Sequence, residues 1–302
     1  MQQTKNIVKI EGILSEVDLK YGSFKKNGRD MKSIGGTIKV QVEQTINGET
    51  VTSEIPVHMF ASALKNDGTD NPVFASIEKI KNDYVSLASA TSPEEADYVR
   101  ITNGNISMNE YYPQGSERLV SFPRVNASFV NKIKKDDCKP QATFEINFVV
   151  AQKEAEVDRE GNETGRYKIM GVIPQYGGKV DVVPFYAVSR GVIDAVSSYW
   201  NPSDTVAAIG KLNFSSKTET YSVEVDFGEP QEKTRTINVS DLIITGGSQT
   251  PVEGEFAYNT NEIQTALAER KARLEQLKVS ATTPAKKSSA PAASGFGSNL
   301  DF

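Results

Sequence analysis

The segment Lys20-Tyr21-Gly22-Ser23-Phe24-Lys25-Lys26-Asn27-Gly28-Arg29 interleaves two aromatic rings with four cations. Flat rings can stack on any nucleobase, because every base has a π-face, and cations between them meet the intervening phosphates. The pattern is that of a grip on a nucleic-acid strand that does not read its sequence. Lys32 and Lys39 extend the run, and between Lys20 and Lys39 only Asp30 opposes the six basic side chains. A solvated basic loop with Tyr21 and Phe24 tucked against the body would read the same way, and both readings stay open. A second cluster follows at Tyr111 and Tyr112, then Arg118, Phe122 and Arg124. Tyrosines at a strand end, just before Pro113, leave at least one ring exposed unless both cover an interface. A sparser third set holds Arg166, Tyr167, Tyr176, Lys179 and Tyr186. Trp200, ahead of Asn201-Pro202 at a helix end, reads as core.

Catalytic and metal chemistry find little to build on. His58 is the single histidine and Cys138 the single cysteine, too few for a Cys/His zinc site. No Gly-x-Ser-x-Gly elbow supports a triad around His58, which reads as an ordinary strand residue. A Gly-x-x-x-x-Gly-Lys-[Ser/Thr] phosphate loop and a Gly-x-Gly-x-x-Gly helix opening are both missing, and no compact Asp/Glu motif suggests Mg²⁺. The expectation is a non-enzymatic protein without a cofactor.

The elements that would position these side chains are mostly strands. Ile7–Val17 alternates loosely around Gly12, a residue that suits a sharp bend. Thr37–Ile46 alternates with period two, Asn47-Gly48 suits a type I′ turn, and Thr50–Phe60 returns as its partner. The basic aromatic segment then falls in the connection between the first two strands, which OB folds use for oligonucleotide contact. Phe74–Leu87 reads as a short helix or a strand, Asp97–Met108 as a hairpin turning at Asn103-Gly104, and Leu119–Val130 as a strand. The cycle then repeats. Ala142–Val150 is followed by a charged insertion, Glu154–Arg166. Tyr167–Ile173 and Lys179–Val188 flank a turn at Tyr176-Gly177-Gly178. Gly191–Trp200 is helical by spacing, and Asp204–Phe214 and Tyr221–Phe227 complete the set. Strand, hairpin, helix, hairpin, twice over, predicts a mainly β chain of tandem OB-like barrels. The expected division is a first barrel over 1–135, a second over 136–250, a helix within 251–280 and a disordered tail over 281–302. Within the helix, Ile263, Ala266, Leu267, Leu274 and Leu277 form a stripe suited to docking on a barrel or to self-association.

Charge sharpens the division. The net charge is −5, yet residues 1–135 carry 17 Lys/Arg against 16 Asp/Glu, and residues 136–250 carry 11 against 17. The first half is therefore the better candidate for a phosphate backbone. One cysteine fits a reducing compartment, and no apolar run approaches the roughly 20 residues that span a bilayer. With a polar N-terminus, this predicts a soluble cytoplasmic protein.

The C-terminus offers different chemistry. After a Pro/Ala/Ser/Lys stretch the sequence ends Gly-Ser-Asn-Leu300-Asp301-Phe302, an aromatic ring beside two carboxylates. An apolar pocket rimmed with Arg or Lys on a partner protein could capture it.

Val99–Pro113, Pro140–Glu145, Glu163–Tyr167, Asp204–Gly210, Ile244–Gly247 and Ala266–Arg270 resemble single-stranded DNA-binding proteins of phages and mobile elements of Gram-positive bacteria. The resemblance implies an OB-based protein that coats exposed single-stranded DNA during phage replication or recombination in the host cytoplasm. Replication or recombination proteins would be partners through the tail, and an oligomer is compatible. Bacterial proteins of this kind usually end in several Asp residues and a Pro before Phe, whereas this tail has Asp301 alone. Two alternatives remain: a module that captures a host replication or transcription enzyme, and a β-rich virion component.

Overall fold

A computed structural model describes residues 5–26, 28–158, 160–223 and 231–282. Strands β1 (Asn6–Lys26), β2 (Arg29–Ile46) and β3 (Glu49–Ser62) form an antiparallel meander, followed by helix α1 (Pro72–Asp83) and strands β4 (Tyr98–Tyr111) and β5 (Val120–Asn126). β4 pairs back onto β1, from Val8↔Gly104 to Ile13↔Tyr98. β5 lies parallel to β3 at Val57↔Val125 and His58↔Asn126. The circuit β1-β2-β3-β5-β4-β1 is closed, with a helix between its third and fourth strands, which is the OB barrel.

After the short strand β6 (Asn131–Ile133), the circuit recurs with β7 (Gln141–Val157), β8 (Glu163–Pro174), β9 (Val180–Ala187), helix α2 (Arg190–Tyr199), β10 (Thr205–Val223) and β11 (Gln231–Gly247). β10 closes on β7, and β11 lies parallel to β9, pairing Ile243 with Tyr186 and Ile244 with Ala187. The chain is thus mainly β, with tandem OB barrels and a terminal helix α3 (Thr260–Thr282).

Local chemistry explains the boundaries. Asn47 and Gly48 both take positive φ, which the tight turn between β2 and β3 requires. Asn71 accepts a hydrogen bond from the Val73 amide, and Pro72 opens α1, whose Ile77 and Ile80 plug the first barrel. Gly12 sits where β1 passes under β2: a Cβ there would lie 2.2 Å from the Gln41 carbonyl oxygen. In the second barrel Phe148 stacks on Phe185 with centroids 4.6 Å apart, and Trp200 meets Phe148 edge-on. Trp200 is buried and donates to the Ser248 carbonyl, as a core tryptophan should.

The barrels are joined edge to edge. β1 and β7 pair antiparallel from Asn6↔Ile146 to Glu11↔Gln141. The buried Asn6 side chain both donates to the Ile106 carbonyl and accepts from the Ile106 amide. Gln44 donates to the Leu212 carbonyl, and Asp181 accepts from the Met108 amide. Helix α3 straps the joint. Its Ile263 and Ala266 pack with Tyr258 on Val149, Val172 and Val180 of the second barrel. Its Arg270 and Arg273 reach the buried Glu110 of the first. The stripe therefore docks, and Leu277 remains partly exposed.

Four expectations change. Asn103-Gly104 is no turn: β4 continues through it with a bulge, three residues from Ile101 to Gly104 facing two from Val8 to Ile10, and a Cβ on Gly104 would lie 3.0 Å from the Asn126 carbonyl oxygen and 3.2 Å from Val8 Cβ. The basic aromatic segment is no loop but the far end of a long β1–β2 ribbon, paired down to Lys26↔Arg29. The charged insertion is likewise a ribbon, the ends of β7 and β8. The two strands expected over 204–227 are one strand as far as Val223, with Phe227 outside the described residues. The tail and its Leu300, Asp301 and Phe302 also lie outside the described residues. Among the described residues no helix is long and apolar enough to cross a membrane.

Candidate nucleic-acid interface

Strand parity sets the site. Ile34, Ile38, Val40, Ile55, Val57 and Met59 fill the first barrel, so Gly35, Thr37, Lys39, Pro56, His58 and Phe60 face outward. Gly35 pairs with Phe60, and the ring leans over the bare glycine, where a Cβ would lie 2.9 Å from Phe60 Cδ2. Phe60 is 57% exposed and Phe24 37%, with centroids 6.1 Å apart. Two neighbouring aromatic platforms thus stand in solvent, one on the β1 side of the ribbon and one on β3. Cations surround them unequally. Lys20 pairs with Asp18 at 2.9 Å, and Lys26 donates to the Asn66 side-chain oxygen. Arg29 and Lys32 have no anionic partner among the described residues, whereas Lys39 is held by Glu16 at 2.6 Å and Glu54 at 3.6 Å. The Glu16 hydrogen bond is the main reason the Lys39 ammonium is shifted up, so its charge is spoken for.

Being a strand rather than a loop splits the basic aromatic segment. Side chains alternate, so Lys20, Phe24 and Lys26 share the outer side, while Tyr21 and Lys25 face the other. There the Tyr21 hydroxyl donates to Glu78 Oε1 of α1 at 3.0 Å, its ring lies 6.5 Å from Phe74, and Lys81 Nζ stands 5.7 Å from its centroid. Tyr21 leans on the body as the blander reading expects, yet keeps about half its surface exposed.

The second cluster continues the outer face. β5 lies beside β3, and β4 beside β5 with Ser107↔Arg124, Asn109↔Phe122 and Tyr111↔Val120. Parity turns Arg124, Phe122 and Tyr111 outward, Phe122 and Tyr111 each about two-fifths exposed. Tyr112, of opposite parity, is half-buried, and Arg118 is exposed in the connection between β4 and β5. Arg124 has no carboxylate partner among the described residues, and its buried Nε lacks an acceptor. His58 sits beside it. Burial first, and then the Arg124 charge, holds the imidazole below its ordinary value of 6.5. An unneutralised cationic centre therefore lies between the aromatic pairs at the two ends of the face.

The second barrel does not repeat this arrangement. The Arg166 guanidinium lies 4.2 Å from the Tyr186 centroid, 3.0 Å from Glu156 Oε2 and 2.8 Å from Asp241 Oδ2. Burial pushes the Asp241 carboxyl up, and Arg166 pulls it back. The cation at the matching position is thus engaged in ion pairs of its own. Tyr176, 95% exposed, stands in the turn between β8 and β9, at the far end of that hairpin from Arg166. Lys179 borders a cleft of about 190 Å³ with Ala266, Glu269, Arg270 and Arg273 of α3. Arg166 thus stands apart from Tyr176 and Lys179, which share one turn.

Sequence reasoning missed Phe60 and passed over His58. The signal was present in Ile55-Pro-Val-His-Met-Phe60: with Val57 and Met59 inside, period two puts an imidazole and a phenyl ring on the solvent side. Among the described residues no cluster of three His, Cys, Asp or Glu could hold a metal ion.

Among solved structures, the wild-type single-stranded DNA binding protein from Thermus aquaticus is similar at a TM-score of 0.49 and 11% identity, covering 86% of this chain and 99% of that one. A deletion mutant of that protein gives a TM-score of 0.48 and 11% identity, covering 84% and 98%. No curated protein matches the sequence. The YorF family model matches residues 5–280, nearly the whole described chain, and the protein belongs to the YorF family.

Proposed function

We propose that this protein binds single-stranded DNA with little regard for sequence, through the outer face of its first barrel. The observation that carries this reading is the joint exposure of Phe24, Phe60, Phe122 and Tyr111 on one face, with Lys20, Lys26, Arg29 and Arg124 between and beside them. Bases of an unpaired strand stack on the rings, and the phosphates displace counterions at the cations. A duplex keeps its base faces stacked inside and offers these rings nothing. The second barrel contributes less, because Arg166 is already engaged with Glu156 and Asp241. Such a grip suits strands exposed in replication or recombination.

The test is fluorescence anisotropy of labelled oligo-dT and an equal-length duplex against rising salt. Single strands should bind at low salt, duplex far more weakly, and affinity should fall steeply as salt rises. Replacing Lys26 and Arg29 by Ala should flatten the log–log salt slope by about 1.4, at roughly 0.7 for each phosphate no longer neutralised. Equal binding of both DNA forms would sink the reading.

A further inference from the structure

On the opposite side of the β1–β2 ribbon from Phe24 and Phe60, a cavity of about 500 Å³ opens between the ribbon and α1. Pockets that hold small organic ligands run about 300–1,000 Å³. Its walls combine the Tyr21 and Phe74 rings with the Glu78 carboxylate, Ser23 and Lys32. The two rings are inclined by 40°, an open wedge rather than a closed stack. At its base the Tyr21 hydroxyl donates to Glu78 Oε1, which fixes the carboxylate. A carboxylate has room for about four accepted hydrogen bonds, and this one uses a single one among the described residues.

These walls suit a nucleobase better than a phosphate. Aromatic surface takes the flat face of a base, while Glu78 repels an anion and accepts from a donor edge. Guanine presents N1–H and N2–H₂ side by side, matching the two carboxylate oxygens, with Ser23 and Lys32 available to its O6. Thymine offers N3–H flanked by two carbonyl oxygens that the carboxylate repels. Access comes from the outer face itself. Gly22 lines the cavity on the ribbon's β1 edge, and from Lys20 on β1 pairs with β2 alone among the described residues. A strand lying on Phe24 can turn one base around that edge.

We propose that this cavity is a base-binding subsite selective for guanine, adding a base preference to an otherwise sequence-tolerant grip. The inference rests on the proposed single-strand binding, and the experiment separates the two. Full-length protein is titrated with an oligo-dT and with the same oligomer carrying one central dG, dA or dC, and separately with dGMP and dTMP, followed by tyrosine fluorescence. The dG oligomer should bind about fivefold or more tightly than oligo-dT, and dGMP more tightly than dTMP. Glu78→Gln should erase the dG advantage and favour dA, because an amide matches adenine's donor and acceptor. Tyr21→Phe, which keeps the ring, should preserve the dG advantage. Strand binding without discrimination among bases, with dGMP and dTMP equal, overturns the subsite and leaves the strand reading standing. Selective dGMP binding without strand binding supports the subsite and overturns the strand reading. Binding of neither overturns both.

Discussion

Phe60 owes its exposure to strand parity, since Val57 and Met59 occupy the barrel and force residue 60 outward over Gly35. Phe60→Ala should therefore weaken single-strand binding by about 1–3 kcal/mol, the worth of one stacked base, and leave thermal unfolding nearly unchanged. Anisotropy and a melting curve on the same sample check both halves. His58 supplies a pH test. Its folded-state pKa lies below the ordinary 6.5, because burial and then Arg124 disfavour the imidazolium. The unfolded chain therefore binds more protons than the folded one as pH falls below 6.5, and stability drops in that window. A phosphate laid on His58 and Arg124 favours the charged ring, so DNA affinity should rise over the same window. His58→Gln should flatten both curves. At this scale the sequence disclosed the types of the basic and aromatic residues in the ribbon but not their sides. Tyr21 and Phe24 look like neighbours in the text, and only the knowledge that they lie in a strand sends them to opposite faces.

Barrel strands were readable where one face is buried, as in Thr37–Ile46, because burial imposes period two on the side chains. Beyond the barrel mouth both faces of the ribbons meet water, the alternation stops, and the hydrogen-bonded ladder continues unannounced. That is why Lys20–Arg29 read as a loop and Glu154–Arg166 as an insertion. β11 escaped for the same reason, since Arg235 to Ser240 carry almost no buried apolar side chain. Asn103-Gly104 misled in the other direction, its glycine serving close packing against Val8 rather than a turn. Glycines give the element-level prediction. Gly12→Ala must push β1 away from the Gln41 carbonyl and should cost about 1–3 kcal/mol in urea unfolding. Gly191→Ala, in the first turn of α2 with nothing within 4 Å of the added carbon, should be neutral or gain up to about 1 kcal/mol.

Two successive OB barrels were legible in the sequence, although the closing hairpin of each was misplaced, and the way the barrels join was not. The joint depends on backbone pairing between β1 and β7 and on single polar side chains such as Asn6 and Gln44, whose partners lie 100 and 168 residues away. Nothing in local periodicity records such a pairing. With buried hydrogen bonds on both sides of the joint, the barrels should unfold together. Trp200 fluorescence, which reports the second barrel, and the far-ultraviolet signal of the whole chain should give coincident transitions. Arg270→Ala, which strips Glu110 of its nearer cation, should lower that common transition by on the order of 3 kcal/mol. Asp181 adds to the cost, because its carboxyl, pushed up mainly by burial, lies close enough to Glu110 to feel its charge.

The strap also imposes an order of assembly on the ribosome. Glu110 is made 160 residues before Arg270, an interval of about 8–32 s at 5–20 residues per second. During that time the first barrel can close, through β4 on β1 and β5 on β3, while Glu110 keeps its water. The second barrel follows, and the helix that shuts Glu110 away arrives last. Its docking fastens a strap across two barrels that β1 and β7 already join.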